Sequence, residues 1–295
     1  MKKNIVLVLF GLIVIFMLLV LSGCTVQKSD NQNYKIVTSF YPIYIMTLNI
    51  TDGAQNVELI NMTDQNTGCI HDYVLSTNDM KKIEKADLFI ENGLGLENFT
   101  EKIKEIYSDI NILNSSENVS NIINDEDETN PHIWTSIENY ISQIEYISKA
   151  LIHNNPQNAK IYEENTKEYI LKLNELNEEY KKELKILSGK KALCLNEAIE
   201  YIAKDLNMEV ISIHTDHDES TISAESLKSI ISKMKNENIK IILIGKDDNK
   251  KNAELIANET DSVIYDINTS LNGENDKDSY INDLKENIDI LKTIK

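Results

Sequence analysis

Arginine is absent from this sequence, in which all 30 basic residues are lysine. Without a guanidinium group, the chain has no planar, bidentate partner for a carboxylate or a phosphate. Its 48 acidic residues outnumber the lysines and give a formal net charge of −18 at pH 7. Nucleic-acid binding needs clustered positive charge, so this balance argues against a nucleic-acid partner. An acidic surface is compatible with a cationic ligand or simply with solubility.

Proline and glycine are also scarce, with three and nine residues among 295. Because these two residues are the main breakers of helices and strands, their scarcity predicts long regular elements. Hydrophobic residues make up 41% of the chain, which is enough for a globular core and excludes wholesale disorder. The length suits one large domain or two of ordinary size.

One long apolar run, Ile5–Leu21, follows two lysines near the start of the chain. Ser-Gly-Cys follows it, and this ending resembles the lipobox of bacterial lipoprotein signal peptides. The resemblance implies cleavage before Cys24 and a lipid on its thiol, so the protein is expected at the outer face of the cell membrane. A single membrane-spanning helix is the alternative, since the run lies at the short end of the spanning range. We predict a signal peptide over 1–23 and a polar tether over 24–33.

Strands and helices alternate through the rest of the chain. The strand runs are rich in Ile, Val and Leu, and one helix is predicted to open at Ser76 with a capping-box-like Asp79. The predicted strands are 36–38, 57–60, 87–90, 110–113, 192–195, 209–213, 239–244 and 262–265. The later helices are predicted near 197–206, 223–238, 249–259 and 278–293. This alternation predicts an α/β fold with mostly parallel sheets flanked by helices.

A long helix is predicted between the two halves, from Pro156 to Leu187, with Asn155 as its N-cap. Apolar and aromatic side chains recur along it at helical spacing: Tyr162, Tyr169, Leu173, Leu176, Tyr180, Leu184 and Leu187. A coiled coil is the alternative to a helix that links two lobes. We expect a first lobe over 34–155, the linking helix over 156–188 and a second lobe over 189–295. A ligand cleft should lie between the lobes, beside the strand carboxyl ends.

Two cysteines remain beyond Cys24, namely Cys69 and Cys194. In an exported protein they could form a disulfide, but no spacing rule shows that they meet. The alternative is two small buried hydrophobic residues.

Histidine is rare, with five residues in the chain. His71 lies between a predicted strand and the helix at Ser76, and His132 lies in Asn-Pro-His-Ile-Trp. His214 and His217 are interleaved with three carboxylates, a pattern that a metal site and a solvated loop explain about equally well. Imidazole with carboxylate suits zinc or manganese, whereas copper(I) prefers sulfur. His153, on a predicted helix, is left out of the candidate set.

Several of these motifs resemble the metal-binding receptors of bacterial zinc and manganese ABC importers, the ZnuA-like lipoproteins. Segments 39–44, 68–73 and 85–93 are similar to the family's N-terminal lobe, and 130–134 resembles its Asp-Pro-His-Val-Trp. Similarity continues through the long helix and into the last helix. The resemblance implies a receptor that captures zinc, with manganese as the alternative, outside the membrane, and we expect this receptor to be a monomer. It also implies delivery to a permease and its ATPase subunit.

The family binds its metal with two side chains from each lobe, and this sequence matches only half of that set. His71 and His132 match the ligands of the first lobe. Asn196 stands where the family has histidine or glutamate, and Asn268 where it has aspartate. A neutral amide oxygen binds zinc less well than imidazole or carboxylate does. This departure leaves the ligands of the second lobe open.

Three explanations compete for that departure. Glu197 or Asp266 could substitute for the amides, since a two-residue step along a strand keeps Asp266 on the face of Asn268. Alternatively, the loop with His214 and His217 could lend a histidine, and we include His217 in the predicted ligand set. The third explanation is a weakened site, and a thiolate from Cys69 or Cys194 is a lesser alternative to all three.

Two other functions compete with metal transport. A metal-dependent hydrolase would need a general base beside an open metal position. No His-Glu-x-x-His or nucleophile motif is present, so we expect no enzymatic activity. The other rival is a surface adhesion lipoprotein that kept the fold and has a degenerate metal site.

Overall fold

The computed structural model describes residues 33–64, 67, 70–71, 73–124, 129–212 and 222–295. The predicted signal peptide and Cys24 lie outside these ranges, as do Cys69, His214 and His217. Residues 33–295 form one compact unit. Within the described ranges, no helix combines the length and the apolar character needed to cross a membrane.

Two parallel four-stranded sheets form the framework of the protein. The first has the strand order β2-β1-β3-β4 and the second has the order β6-β5-β7-β8. The two sheets therefore have the same topology. The strands are β1 Tyr34–Thr38, β2 Val57–Asn61, β3 Leu88–Glu91, β4 Ile112–Asn114, β5 Lys191–Cys194, β6 Glu209–Ser212, β7 Ile241–Gly245 and β8 Val263–Ile267. Every strand pair within them is parallel. The predicted α/β class with two lobes is therefore confirmed.

Helices flank both sheets and connect successive strands. They are α1 Tyr41–Thr51, α2 Thr77–Ile83, α3 Thr100–Ile106, α4 Ile137–Asn154, α5 Ala159–Glu183, α6 Ala198–Asp205, α7 Ala224–Glu237, α8 Lys251–Thr260 and α9 Ser279–Leu291. Every residue of β3 and β7 is buried, as expected for inner strands of a parallel sheet covered on both faces. The edge strands β6 and β8 instead carry the exposed side chains of Val210 and Val263.

The predicted start of α2 is confirmed in detail. The Ser76 hydroxyl accepts a hydrogen bond from the Asp79 N–H at 3.2 Å, and the Asp79 carboxylate accepts one from the Ser76 N–H at 2.8 Å. Two backbone donors of the first turn are thereby satisfied reciprocally. The Tyr73 hydroxyl donates to the same carboxylate at 2.9 Å, which ties the helix start to the loop that contains His71.

The linking helix is shorter than the sequence predicts. Helix α5 has 25 residues, and 3₁₀ turns at Pro156–Asn158 and Lys185–Leu187 flank it. Asn155 is the N-cap residue of the first 3₁₀ turn, with Pro156 at its first position, as predicted. Its side chain makes no capping hydrogen bond, because its oxygen accepts from the Asn158 amide at 2.7 Å and from the Tyr162 hydroxyl at 3.3 Å. The predicted apolar stripe is buried as expected. Through it α5 packs on α1, α4 and α9, and so contacts both lobes.

Three tyrosines join the long helices at the boundary between the lobes. The rings of Tyr140 in α4 and Tyr280 in α9 stack with centroids 3.6 Å apart and an interplanar angle of 2°. The hydroxyl of Tyr169 in α5 lies 3.2 Å from that of Tyr140. All three side chains are buried. This tyrosine cluster therefore packs elements from both lobes against the linking helix.

Candidate metal centre

His71 and His132 lie side by side at one edge of the first lobe. Their ring centroids are 5.3 Å apart, with the rings tilted by 48°. His71 lies in the connection between β2 and α2, and His132 directly precedes the 3₁₀ turn Ile133–Thr135. The Asn98 amide donates to the His71 carbonyl at 2.7 Å and holds its backbone. The structure therefore brings together the two histidines that the resemblance identified as first-lobe ligands.

The hydrogen bonds of Asn130 determine the tautomer of His132. The Asn130 side-chain oxygen accepts from the His132 N–H at 3.0 Å, and its nitrogen donates to the Glu197 carbonyl at 2.9 Å and to Glu200 Oε2 at 3.0 Å. These partners fix which end of the amide is oxygen. That oxygen also lies 2.9 Å from His132 Nδ1, so Nδ1 must carry the proton. Nε2 is then the ring nitrogen without a proton.

The environment of His132 keeps its ring neutral. The side chain is 6% exposed, and burial lowers its pKa to about 3, with the nearby His71 adding to the effect. Metal ligation requires neutral imidazole, so His132 is ready to bind a cation without first losing a proton.

Second-lobe residues hold the segment that carries His132, residues 130–135, which we call the histidine segment. The Tyr201 hydroxyl in α6 donates to the Asn130 carbonyl at 2.8 Å, and the Trp134 indole N–H donates to the Thr269 carbonyl at 3.0 Å. The Thr135 hydroxyl donates to the Ala198 carbonyl at 2.7 Å. The histidine segment is therefore bonded to the connections that follow both β5 and β8.

Asn196 lies just beyond β5, and its amide contacts a carboxylate. Its oxygen accepts from the Ala198 N–H at 2.9 Å, as in an Asx turn, and its nitrogen donates to Asp248 at 2.8 Å. Asp248 also accepts from the Gly245 N–H at 2.8 Å. A Cβ at Gly245 would come within 2.3 Å of Asp248 Oδ2, so the missing side chain makes room for this carboxylate.

Asn268 lies just beyond β8 and repeats the arrangement of Asn196. Its oxygen accepts from the Ser270 N–H at 2.9 Å, while its nitrogen donates to Asp283 at 2.9 Å and to Glu286 at 3.0 Å. Both carboxylates belong to α9. Each second-lobe amide therefore turns its nitrogen toward carboxylate and its oxygen toward the backbone.

The two described carboxylates proposed as substitutes lie in different places. Asp266 accepts from the Lys250 ammonium at 2.6 Å, next to the start of α8, whereas Asn268 lies against α9. Asp266 and Asn268 were expected to lie on the same face of the strand. This expectation is not met, because β8 ends at Ile267 and Asn268 belongs to the following turn. Glu197 instead lies beside the histidine segment, where its carbonyl accepts from Asn130.

Cys194 is a buried free thiol, and burial raises its pKa above the usual range. A protonated thiol in an apolar setting behaves as a small hydrophobic residue and not as a thiolate ligand. Among the described residues, no group of three or more His, Cys, Asp or Glu side chains has the arrangement of a metal site.

The chain matches the family described as "Zinc-uptake complex component A periplasmic" over residues 36–294. It belongs to this family. It is 26% identical to the high-affinity zinc uptake system protein ZnuA of Bacillus subtilis, over 96% of each chain. It is 24% identical to the manganese-binding lipoprotein MntA of Halalkalibacterium halodurans, over 98% of this chain and 97% of the other.

A solved structure shares the fold of this family member. It is the substrate-binding protein FpvC of Pseudomonas aeruginosa in complex with Mn²⁺, with a TM-score of 0.79 and 22% sequence identity. The match covers 88% of this chain and 97% of the other.

The structure also contains site residues that the sequence reasoning missed. In the sequence, Asn130 stands out only as part of a motif, and Glu200 and Asp248 do not stand out at all. The one available signal is the position of Asn130 two residues before His132. The partners of Asn130 and Asn196 come from other parts of the chain, and residue spacing does not reveal them.

Proposed function

We propose that the protein captures a divalent cation outside the membrane and delivers it to an ABC importer, with zinc as the first choice and manganese as the second. The observation that carries this proposal is the pair of adjacent imidazoles, His71 and His132. The second ring is neutral and carries its proton on Nδ1. Imidazole nitrogen is a preferred donor for zinc, whereas manganese prefers oxygen donors, so the pair favours zinc. Family members named for zinc uptake and for manganese binding support the same function.

We propose that the remaining ligands come from the second lobe. Glu197 is the first choice among the described carboxylates, because its backbone is bonded to the segment of His132. His217 stays in the predicted set, and His214 is an alternative to it. Asn196 and Asn268 remain in the set as weak oxygen donors. The hydrogen bonds that both amides make to carboxylates support a lesser role for them.

We also propose lipid anchoring through Cys24, a monomeric state and transfer to a permease with its ATPase subunit. The manganese-binding relative is named a lipoprotein, which supports an anchored protein on the extracytoplasmic face. The relatives reported above are named for uptake and binding of metals and not for catalysis. This favours transport over the hydrolase alternative.

Calorimetry with zinc and manganese tests the proposal on the chain without residues 1–24. His132→Ala should weaken binding by more than about 100-fold, because loss of outer-shell partners alone costs about 10–100-fold. His153→Ala is the matched control: His153 is an exposed histidine in α4, and its loss should leave the affinity unchanged. Absence of heat and of any thermal shift with both metals would contradict the proposal.

A further inference from the structure

Glu200 is a buried carboxylate in α6 with an incomplete set of partners. Its side chain is 5% exposed, and its Oε2 accepts from the Asn130 amide nitrogen at 3.0 Å. Its Oε1 is buried and has no hydrogen-bond partner among the described residues. Burial of a carboxylate with an unpaired oxygen is costly, so stability alone does not account for this residue.

Asn130 connects this carboxylate to His132. At one end of the amide, the oxygen holds the backbone N–H and Nδ1 of His132. At the other end, the nitrogen holds Glu200 and the Glu197 carbonyl. A flip of the amide would put a donor against His132 and an acceptor against Glu200, so all these bonds would be lost together. The contact with Glu200 therefore helps to fix the amide, and the amide fixes the tautomer of His132.

We propose that Glu200 is a positioning residue for metal capture, which acts through Asn130 to hold His132 with its proton on Nδ1 and Nε2 toward the ion. The inference rests on the proposed function. Glu200 belongs to the second lobe and His132 to the first, so a residue across the lobe boundary prepares the ligand. A charged partner at the far end of such a chain also makes a ligating imidazole more basic.

Removal of the charge at Glu200 tests the proposal. In Glu200→Gln, we expect zinc affinity by calorimetry to fall about tenfold, at the lower end of outer-shell effects, because a neutral acceptor polarises the chain less. In the metal-free Glu200→Gln protein, the resonance of the His132 Nδ1–H proton should shift to lower frequency in NMR spectra of the ¹⁵N-histidine-labelled protein. Glu91→Gln is the matched control: Glu91 is a buried carboxylate in β3 that accepts from the Thr100 hydroxyl, and its change should alter neither readout.

Exchange of the amide at position 130 with the carboxylate at position 200 provides the second test. Asn130→Asp alone places two carboxylates in contact and should weaken zinc binding and lower the melting temperature. In the double variant N130D/E200Q, the new carboxylate at position 130 accepts from His132, while the new amide at position 200 donates to that carboxylate. This variant should bind zinc more tightly than Asn130→Asp, an interaction far from additive. It should still bind less tightly than the wild type, because the carboxylate at position 130 cannot donate to the Glu197 carbonyl.

Two results would overturn the proposal without touching the proposed function. One is a Glu200→Gln protein that binds zinc like the wild type with an unchanged His132 proton signal. The other is a double variant that binds no better than Asn130→Asp. Failure of the wild-type chain to bind zinc or manganese, with the His132 signal still sensitive to Glu200, would overturn the proposed function and the metal role of Glu200. The same result would support the hydrogen-bond chain itself.

Discussion

At the scale of single residues, the amides around the site show how far the sequence could be interpreted. His71 and His132 were predictable because each lies in a short motif with a recognisable pattern. The contact between Asn130 and Glu200 was not, since 70 positions separate the two residues. Asp266 was misplaced for a different reason: strand alternation ends with the strand, one residue before Asn268.

Glu97 is a buried carboxylate whose ionisation should affect stability. It accepts hydrogen bonds from the Ser39 hydroxyl at 2.8 Å and from the N–H groups of Asn92 and Gly93 at 2.7 and 3.0 Å. Burial raises its pKa from 4.5 to about 7, with nearby Glu91 adding to the rise and the hydrogen bonds opposing it. A raised carboxyl pKa means that the folded state holds the proton more tightly than the unfolded state.

We expect the free energy of unfolding to fall as the pH rises from 4.5 to about 7, with Glu97 contributing roughly 3 kcal/mol to that loss. Glu97→Gln should remove this part of the pH dependence in urea unfolding. The comparison must be with the wild type, because burial raises the pKa of Asp205 and Asp283 in the same direction. Glu163→Gln, at an exposed position on α5, should keep the wild-type slope. A Glu97→Gln protein with that same slope would refute the prediction.

At the scale of elements, the strands were easier to predict than the linking helix. Apolar runs such as the one in β7 are buried on both faces of a sheet, so composition identifies them. The apolar stripe predicted the buried face of the long helix, but the capping rules did not predict where the α-helix begins and ends. Asn155 uses its side chain on Asn158 and Tyr162, and local pairing of this kind competes with a cap.

The capping box of α2 gives a prediction at this scale. Ser76→Ala removes one reciprocal hydrogen bond and should lower the free energy of unfolding by about 1 kcal/mol. It should also weaken metal binding slightly, because Asp79 of the box holds Tyr73 in the loop after His71. Ser223→Ala is the control. The Ser223 hydroxyl caps α7 by accepting a hydrogen bond from the Ser226 N–H, and the substitution removes this cap. That control should cost similar stability but leave calorimetric affinity unchanged; equal effects of both variants on affinity would contradict the link.

At the scale of the whole molecule, the tyrosine cluster and the histidine segment join the lobes. Tyr280→Phe keeps the ring stack with Tyr140 but removes the hydroxyl that donates to the Trp134 carbonyl at 2.8 Å. A buried carbonyl without its donor should cost about 1–3 kcal/mol in chemical denaturation. Tyr265→Phe, on the partly exposed strand β8, should change stability by less than about 0.5 kcal/mol. Equal stability of the two variants would argue against an energetic role for this lobe contact.

Trp134 is the single tryptophan of the chain, and its position makes it a natural optical reporter. Its ring centroid lies 5.2 Å from that of His132, and its indole N–H is bonded to the Thr269 carbonyl of the other lobe. Its emission therefore senses both the ligand and the lobe boundary. Titration of the unlabelled protein with zinc should change tryptophan fluorescence, and stopped-flow recording of that change would give the rate of capture without an added dye.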